Sequence, residues 1–401
     1  MGLISKVRDS FSLQGNIPPL LLTSLLDGSA WNMLEVIWQP YILSIGGTTS
    51  SVGLLTSIWS TVYSLLQFAT GELTDCIGRK SVLTAYYILS ILGLVFSFIS
   101  SSWIHLIPII VLYGLADALG EPAISPMFAE SVDEKKTGLA LGLLSLTWWL
   151  PGLYSQVIGG YLGDIFGLRQ VITVTFTLET ITLILFLTLV KDTLKETKPF
   201  KPSSLVKNLK NLMNPVGELR SFYLLSMIDS FSWMISGSIF IAMIYETYGF
   251  SLLEIGLLLT AMSATTALLV VPVGKMVDKY GSTRIMQASS ILSVIVFLLF
   301  IYVKDFNGIL MVQIIRGAAI ALWDPSSSAY LTKNVESSER GRHFGNLYGL
   351  KGIVGFPAPI IGAFLYSYYR ITGAFAASTI GLFLTAMLVF RMKEEQICAH
   401  A

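Results

Sequence analysis

The chain is poor in the residues on which most catalytic, metal-binding and nucleic-acid-binding proteins depend. Cysteine occurs twice, at Cys76 and Cys398, and histidine three times, at His105, His343 and His400. Two cysteines in 401 residues make no disulfide framework, and no spacing among the histidines suits a metal, so no structural or catalytic metal site is expected. No nucleophile-and-base constellation stands out, which argues against an enzyme, and no cofactor is called for. Charge is scarce too: 13% of residues are Asp, Glu, Lys or Arg, and the formal net charge is +1. Without a basic excess or a basic stripe beyond the loops, nucleic acid is not an expected partner. The N-terminus carries Lys6, Arg8 and Asp9 but no small-residue cleavage site, so the first apolar segment is expected to stay in the protein.

Apolar residues fill the rest. They make up 53% of the chain, and a mean hydropathy of +0.69 lies far above the soluble range, so the chain reads as a polytopic protein of the lipid bilayer. Windows of about twenty residues, enough to cross roughly 30 Å of hydrocarbon, give twelve candidate spans. They are 17 to 43, 51 to 70, 81 to 101, 104 to 128, 138 to 163, 169 to 190, 219 to 246, 252 to 273, 285 to 303, 308 to 331, 343 to 368 and 372 to 390. Between the sixth and seventh runs KDTLKETKPFKPSSLVKNLKNLMNPVGELR, lysine-rich with three prolines, which reads as a linker. Within it Leu205, Val206, Leu209, Leu212 and Met213 keep helical spacing against Lys207 and Lys210, as in a helix lying on the membrane surface; a disordered basic linker is the alternative.

Twenty-one lysines and arginines fall on the side of the N-terminus, the linker and the C-terminus, against Arg169, Lys304 and Arg370 on the other. This bias places both termini and the linker in the cytoplasm, with the chain multi-pass in the cell membrane. Cys76 and Cys398 then face a reducing compartment and are expected as free thiols.

The polar stretch GELTDCIGRK, Gly71 to Lys80, lies between the second and third spans, and VGKMVDKYGSTR follows the eighth. Gly71, Asp75 and Gly78 recur as Gly274, Asp278 and Gly281, each 203 residues later, and the same offset joins Gly114 to Gly317, Pro122 to Pro325, Gly142 to Gly345 and Gly159 to Gly362. In the first span of each half, Asp27 and Trp31 are repeated as Asp229 and Trp233 with an offset of 202. The chain is an internal duplication of six helices. The expected fold is an all-α membrane protein of two pseudo-symmetric six-helix bundles, over 1–190 and 219–401, joined by a cytoplasmic linker over 191–218.

GELTDCIGRK meets the loop signature G-x-L-x-D-x-x-G-R-[KR], and on this motif and the duplication the chain resembles the major facilitator superfamily, with features of its drug:proton antiporter branch. The resemblance implies alternating access, in which two bundles rock about a central site. It also implies a cytoplasmic gate. Gly71 and Gly78 permit tight turns, Asp75 can accept hydrogen bonds from a helix N-terminus across the bundle interface, and Arg79 and Lys80 can join that charge cluster. Gly274, Asp278, Gly281 and Arg284 keep a degenerate second copy. The branch's fifth-helix signature G-P-x-x-G-G is eroded, with Ser155, Gln156, Gly159 and Gly160 in its places, and the fourth helix has Tyr113 where the tenth has Arg316.

Substrate information lies in charges within the spans, since each costs at least about 2.5 to 3.5 kcal/mol at the bilayer centre unless it faces a cavity or a partner. They are Asp27, Glu35, Asp117, Glu121, Glu179, Asp229, Arg316, Asp324 and Lys351. Asp27 and Glu35 are roughly 80° apart around one helix and can border one cavity. Asp117 and Glu121 share a helix face. Glu121 and Asp324 each precede a proline and either face the cavity or cap amides at a break. Glu179 falls where the family more often has a lipid-peripheral or packing position. A carboxylate in a low-dielectric cavity binds its proton more tightly than in water, so Asp27, Glu35 and Asp229 are the proton-coupling candidates. Trp31, Trp148, Trp149 and Trp233, with Asp117, Glu121, Arg316, Asp324 and Lys351, are the candidates for a substrate cavity. The expected function is a proton-coupled secondary transporter, working as a monomer, that exports small lipophilic or cationic compounds; uptake of a sugar-like solute and a membrane sensor are the alternatives.

Overall fold

The computed structural model describes residues 15–132, 137–194, 219–335 and 340–392. The linker and its amphipathic stretch, Lys6, Arg8, Lys135, Lys136 and Cys398 lie outside them. Among the described residues twelve helical passes follow one another. The first four are Ile17–Ser44, Thr49–Ile77, Arg79–Ile99 and Leu106–Glu130. The fifth is two helices, Thr137–Gly152 and Ser155–Phe166, and the sixth is Leu168–Leu189. The seventh is again two, Arg220–Gly237 and Phe240–Tyr248, followed by Leu252–Tyr280, Ser282–Tyr302 and Phe306–Lys333. The eleventh runs through Arg340–Gly355 and then into Ala358–Arg391, which also contains the twelfth beyond a kink at Arg370.

Lipid offers backbone groups no water, so helix ends and breaks must satisfy themselves. Thr48 and Ser251, equivalent in the two halves, each close a capping box, with Ser51 and with Glu254. The breaks in the fifth and eleventh passes fall after Gly152 and Gly355, again equivalent, and the adjoining prolines Pro151 and Pro357 supply the reason. The helices run on through Pro122 and Pro325, however, so Glu121 and Asp324 are not at helix ends.

Packing repeats with the sequence. Gly114 of the fourth pass lies so close to the second that a Cβ there would press on the carbonyl of Trp59, and Gly317 lies in the same way on Met262 of the eighth. Without a hydrophobic force between helices in lipid, such backbone contact is what holds a bundle together.

The two halves touch mainly on one face, the one opposite the turns at Gly78 and Gly281. There Gln39 of the first pass spans the break in the seventh, donating to the Ser238 carbonyl at 3.0 Å and accepting from the Ala242 N–H at 2.8 Å. Thr49 donates to Glu246 at 2.6 Å. Asp164, at the end of the fifth pass, accepts from the backbone N–H of both Leu252 and Leu253 at 2.9 Å, capping the eighth helix across the interface. Toward the other face the halves part: a Cβ at Gly142 or at its equivalent Gly345 would meet nothing within 4 Å. The structure is therefore closed on the Asp164 face and open on the Gly78 face.

Asp164 is the only carboxylate among these cross-half contacts that reaches a helix N-terminus with both oxygens, and charged hydrogen bonds contribute about 1.5–3 kcal/mol each. Asp164→Ala is expected to shift the population by roughly tenfold or more toward the state open on this face. Spin labels at Ser101→Cys and Asn307→Cys, in a background lacking native cysteine, report it as growth of a longer distance; an unaltered distribution would show that the clamp does not hold this state.

Candidate functional site

The intramembrane charges gather into three clusters around the space between the halves. In the first half, Asp27 is half-buried and accepts from the Tyr86 hydroxyl at 2.8 Å, while the Trp31 indole donates to that same hydroxyl at 2.8 Å. Trp31 also stands edge-on to Tyr113. Behind Asp27 lies Glu179, 1% exposed, its carboxyl group within hydrogen-bonding reach of Asp27's. Of the lipid-peripheral and packing positions expected for Glu179, the structure shows a buried one, with the added feature that it faces another acid.

The second cluster crosses the interface. Glu35 is exposed to the central space and accepts from Gln156 at 3.1 Å, and the same amide group donates to Asn32 at 3.1 Å. Gln156 in turn accepts from Ser263 of the other half at 3.3 Å. Arg316 provides the opposing charge to Glu35 and lies over the rings of Trp233, at 5.2 Å, and Phe240, at 5.3 Å. Asp27 and Glu35, about two turns apart on one helix, therefore serve different clusters.

In the second half Lys351 supplies the charge opposing Asp229 and Asp324, and both carboxylates act on it electrostatically. Asp229 is 6% exposed, whereas Asp324 is open to the central space.

An aromatic wall joins the clusters. Trp59 and Tyr63 stack at 5.7 Å, Trp59 donates to Asp117 at 2.7 Å, and Tyr63 donates to Glu121, which also accepts from Gln67 at 3.1 Å. Tyr348, from the other half and 48% exposed, faces Tyr63, Glu121 and Asp324, with Lys351 over its ring at 5.6 Å. Trp148 is 58% exposed on the helix face of Gly152, one turn away, while Trp149 is half-buried. Sequence reasoning named Trp31, Trp148, Trp149 and Trp233 for the cavity and missed Trp59, Tyr63 and Tyr348. The signal for Trp59 and Tyr63 was their i,i+4 spacing opposite the Asp117 and Glu121 pair, with the same period.

The gate motif sits apart from these clusters. Gly71 lies within the second helix, and Gly78 takes φ 97° and ψ 148°, a turn that L side chains rarely adopt, between the second and third. Arg79 is nearly buried and joins Asp75 at 2.9 Å to Glu130 at 2.8 Å. Thr193 also donates to Glu130, and Lys80 donates through Nζ to the Leu187 carbonyl at 2.8 Å. In this state, open on their face, these contacts stay within one half. Gly281 repeats the turn at φ 90° and ψ 151°, with Gly274 and Asp278 in the helix before it and Arg284 in the helix after it.

Two six-pass halves, closed together on one face around an acid-lined cavity that opens on the other, define a membrane transporter. The Major Facilitator Superfamily profile matches the chain over residues 20–221 and 222–396, and the chain belongs to that family. The multidrug resistance protein MdtG of Escherichia fergusonii is 24% identical over 382 residues, 92% of each chain. The class H tetracycline resistance protein of Pasteurella multocida is 24% identical over 368 residues, 87% of this chain and 88% of that one. Among solved structures, the nucleoside transporter NupG shares the fold with a TM-score of 0.75 at 14% identity, covering 94% of this chain and 98% of its own.

Because Asp75 and Arg79 lie outside the cavity, Asp75→Asn is expected to slow turnover strongly while leaving substrate affinity within a few-fold. Turnover and equilibrium binding of one transported dye, measured on the same preparation, check this; wild-type turnover would remove the motif from the gate.

Proposed function

We propose that this chain is a proton-coupled exporter of small lipophilic and cationic compounds, with the Gly78 face and both termini in the cytoplasm. The structure then represents the inward-open state. The observation that carries this is the balance of charge in the cavity. Glu35, Asp117, Glu121 and Asp324 border it beside the rings of Trp59, Tyr63 and Tyr348, while each cation lies over at least one aromatic ring and has the opposing charge of at least one acid, Arg316 that of Glu35, Lys351 those of Asp229 and Asp324. A flat cation meets a π-face and a carboxylate together, the combination that a largely apolar pocket with a few placed charges uses for orientation. The names of the multidrug and tetracycline relatives support export of such compounds. Uptake of a neutral solute remains the second reading, favoured by the polar Asn32, Gln156 and Ser263 chain at the cavity's closed end.

The work of transport divides by position. Asp27, half-buried at the cavity wall, carries the proton; the Asp164 and Gln39 contacts hold the outer face shut, and the Asp75 motif closes the inner face when those open. The six-helix units 1–190 and 219–401 move as two bodies about the linker 191–218, and a single chain supplies every cavity residue named, so the monomer is the working unit.

Two measurements test the reading. Glu35→Gln is expected to weaken binding of a cationic substrate more than that of a neutral one, by about 1 to 3 kcal/mol for a lost charge contact; equal losses favour the neutral-solute reading. Asp27→Asn is expected to abolish transport driven by an imposed pH step in proteoliposomes while substrate-for-substrate exchange persists. Concentration of substrate by the variant in response to the pH step would move the coupling site elsewhere.

A further inference from the structure

We propose that Glu179 is the second half of the proton site: the carboxyl groups of Glu179 and Asp27 hold one proton between them, and the pair loads and unloads it as access alternates. This rests on the proton-coupled reading above.

Glu179 is 1% exposed in the middle of the sixth pass, and neither of its carboxyl oxygens meets a hydrogen-bond donor. The ionisable groups that face it are Asp27 from the first pass, Tyr86 and Tyr87 from the third, and Tyr113 and Asp117 from the fourth. None of these is a cation. Tyr86 cannot serve it, because the single phenol hydrogen goes to Asp27 and the oxygen accepts from Trp31. A bare carboxylate there would have neither water, donor nor counter-charge, and a second one beside it would add repulsion. One proton removes both problems, since the contact between the two acids then becomes an O–H···O bond, among the strongest a carboxylate makes.

The two members differ in access. Glu179 is sealed, whereas Asp27 has an edge on the cavity. On release, the proton leaves an Asp27 oxygen for cavity water, or passes to it first if it rests on Glu179, and the pair goes from one negative charge to two. A monovalent cation seated at Asp27 returns the site to one. Exchange of one proton for one monovalent cation therefore leaves the charge of the site unchanged, and reloading from the other side reverses each step.

The test uses the purified full-length protein in proteoliposomes with tetraphenylphosphonium as the probe. In wild type, the infrared carbonyl stretch of a protonated carboxyl group is expected to titrate with pH, and the part of that signal due to the pair is expected to vanish in Glu179→Gln and equally in Asp27→Asn. Glu179→Gln is also expected to lose accumulation driven by a pH step while it still exchanges probe for probe, which shows that it is folded. A Glu179→Gln protein that keeps both the wild-type infrared titration and pH-driven accumulation overturns the pair. Should that variant not fold, Asp27→Asn decides from the other side, and an unaltered carboxyl signal there overturns the pair as well. If wild type itself ignores the pH step, the proton-coupled reading fails, and the infrared arm still determines whether the two acids share a proton.

Discussion

The constraint on which everything else rests is the cost of an unneutralised charge in hydrocarbon. Nine charged residues lie deep within the passes, away from their ends, and the helices are arranged so that each faces an opposite charge, a hydroxyl, indole or amide donor, or another acid with which to share a proton. Arg316 lies over two rings and has the opposing charge of Glu35, Lys351 lies over Tyr348 and has those of Asp229 and Asp324, and Asp117 and Glu121 take donors from Trp59, Tyr63 and Gln67. The cavity is the shape left when these requirements are met from both halves at once.

A second regularity governs the turns. Gly78, Gly167 and Gly281 adopt nearly the same backbone, with φ between 90° and 97°, and the fourth such turn is held by Arg370 at φ 55°. The spacing Gly160, Asp164, Gly167, Arg169 resembles Gly71, Asp75, Gly78, Arg79 with one residue inserted before the arginine, but it lies on the opposite face. Asp164 makes across the interface the helix cap that the sequence pattern assigns to Asp75. The two faces thus carry related latches, of which this state closes one and leaves the other bonded within its own half.

Much of this was legible from residues alone. Twelve apolar runs and a constant offset of 203 are enough for the passes and the duplication, because lipid leaves helices as the only solution for such runs. The break near residue 238 was not, since no proline marks it and it is spanned by Gln39 of the first pass. Glu179 was missed for a related reason. Its depth in the membrane follows from position along the span, but its direction around the helix does not, and a carboxylate facing lipid, a cavity or another acid has the same neighbours in sequence. Asp164 was missed because it echoes Asp75 from 89 residues away within the same half, not at the 203-residue offset that joins the two halves.

The first helix carries a consequence for how the protein is made. Eight helical stretches among the described residues are long and apolar enough to cross a membrane by themselves, and Ile17–Ser44 is not one of them, because Asp27, Asn32, Glu35 and Gln39 interrupt it. Its polar face is covered by Glu179, Gln156 and the broken seventh pass, all synthesised later. During synthesis the polar face of this helix therefore gains these partners only after the fifth, sixth and seventh passes have been made. The residues that equip the chain to move a substrate are the same ones that tie its first helix to passes made later.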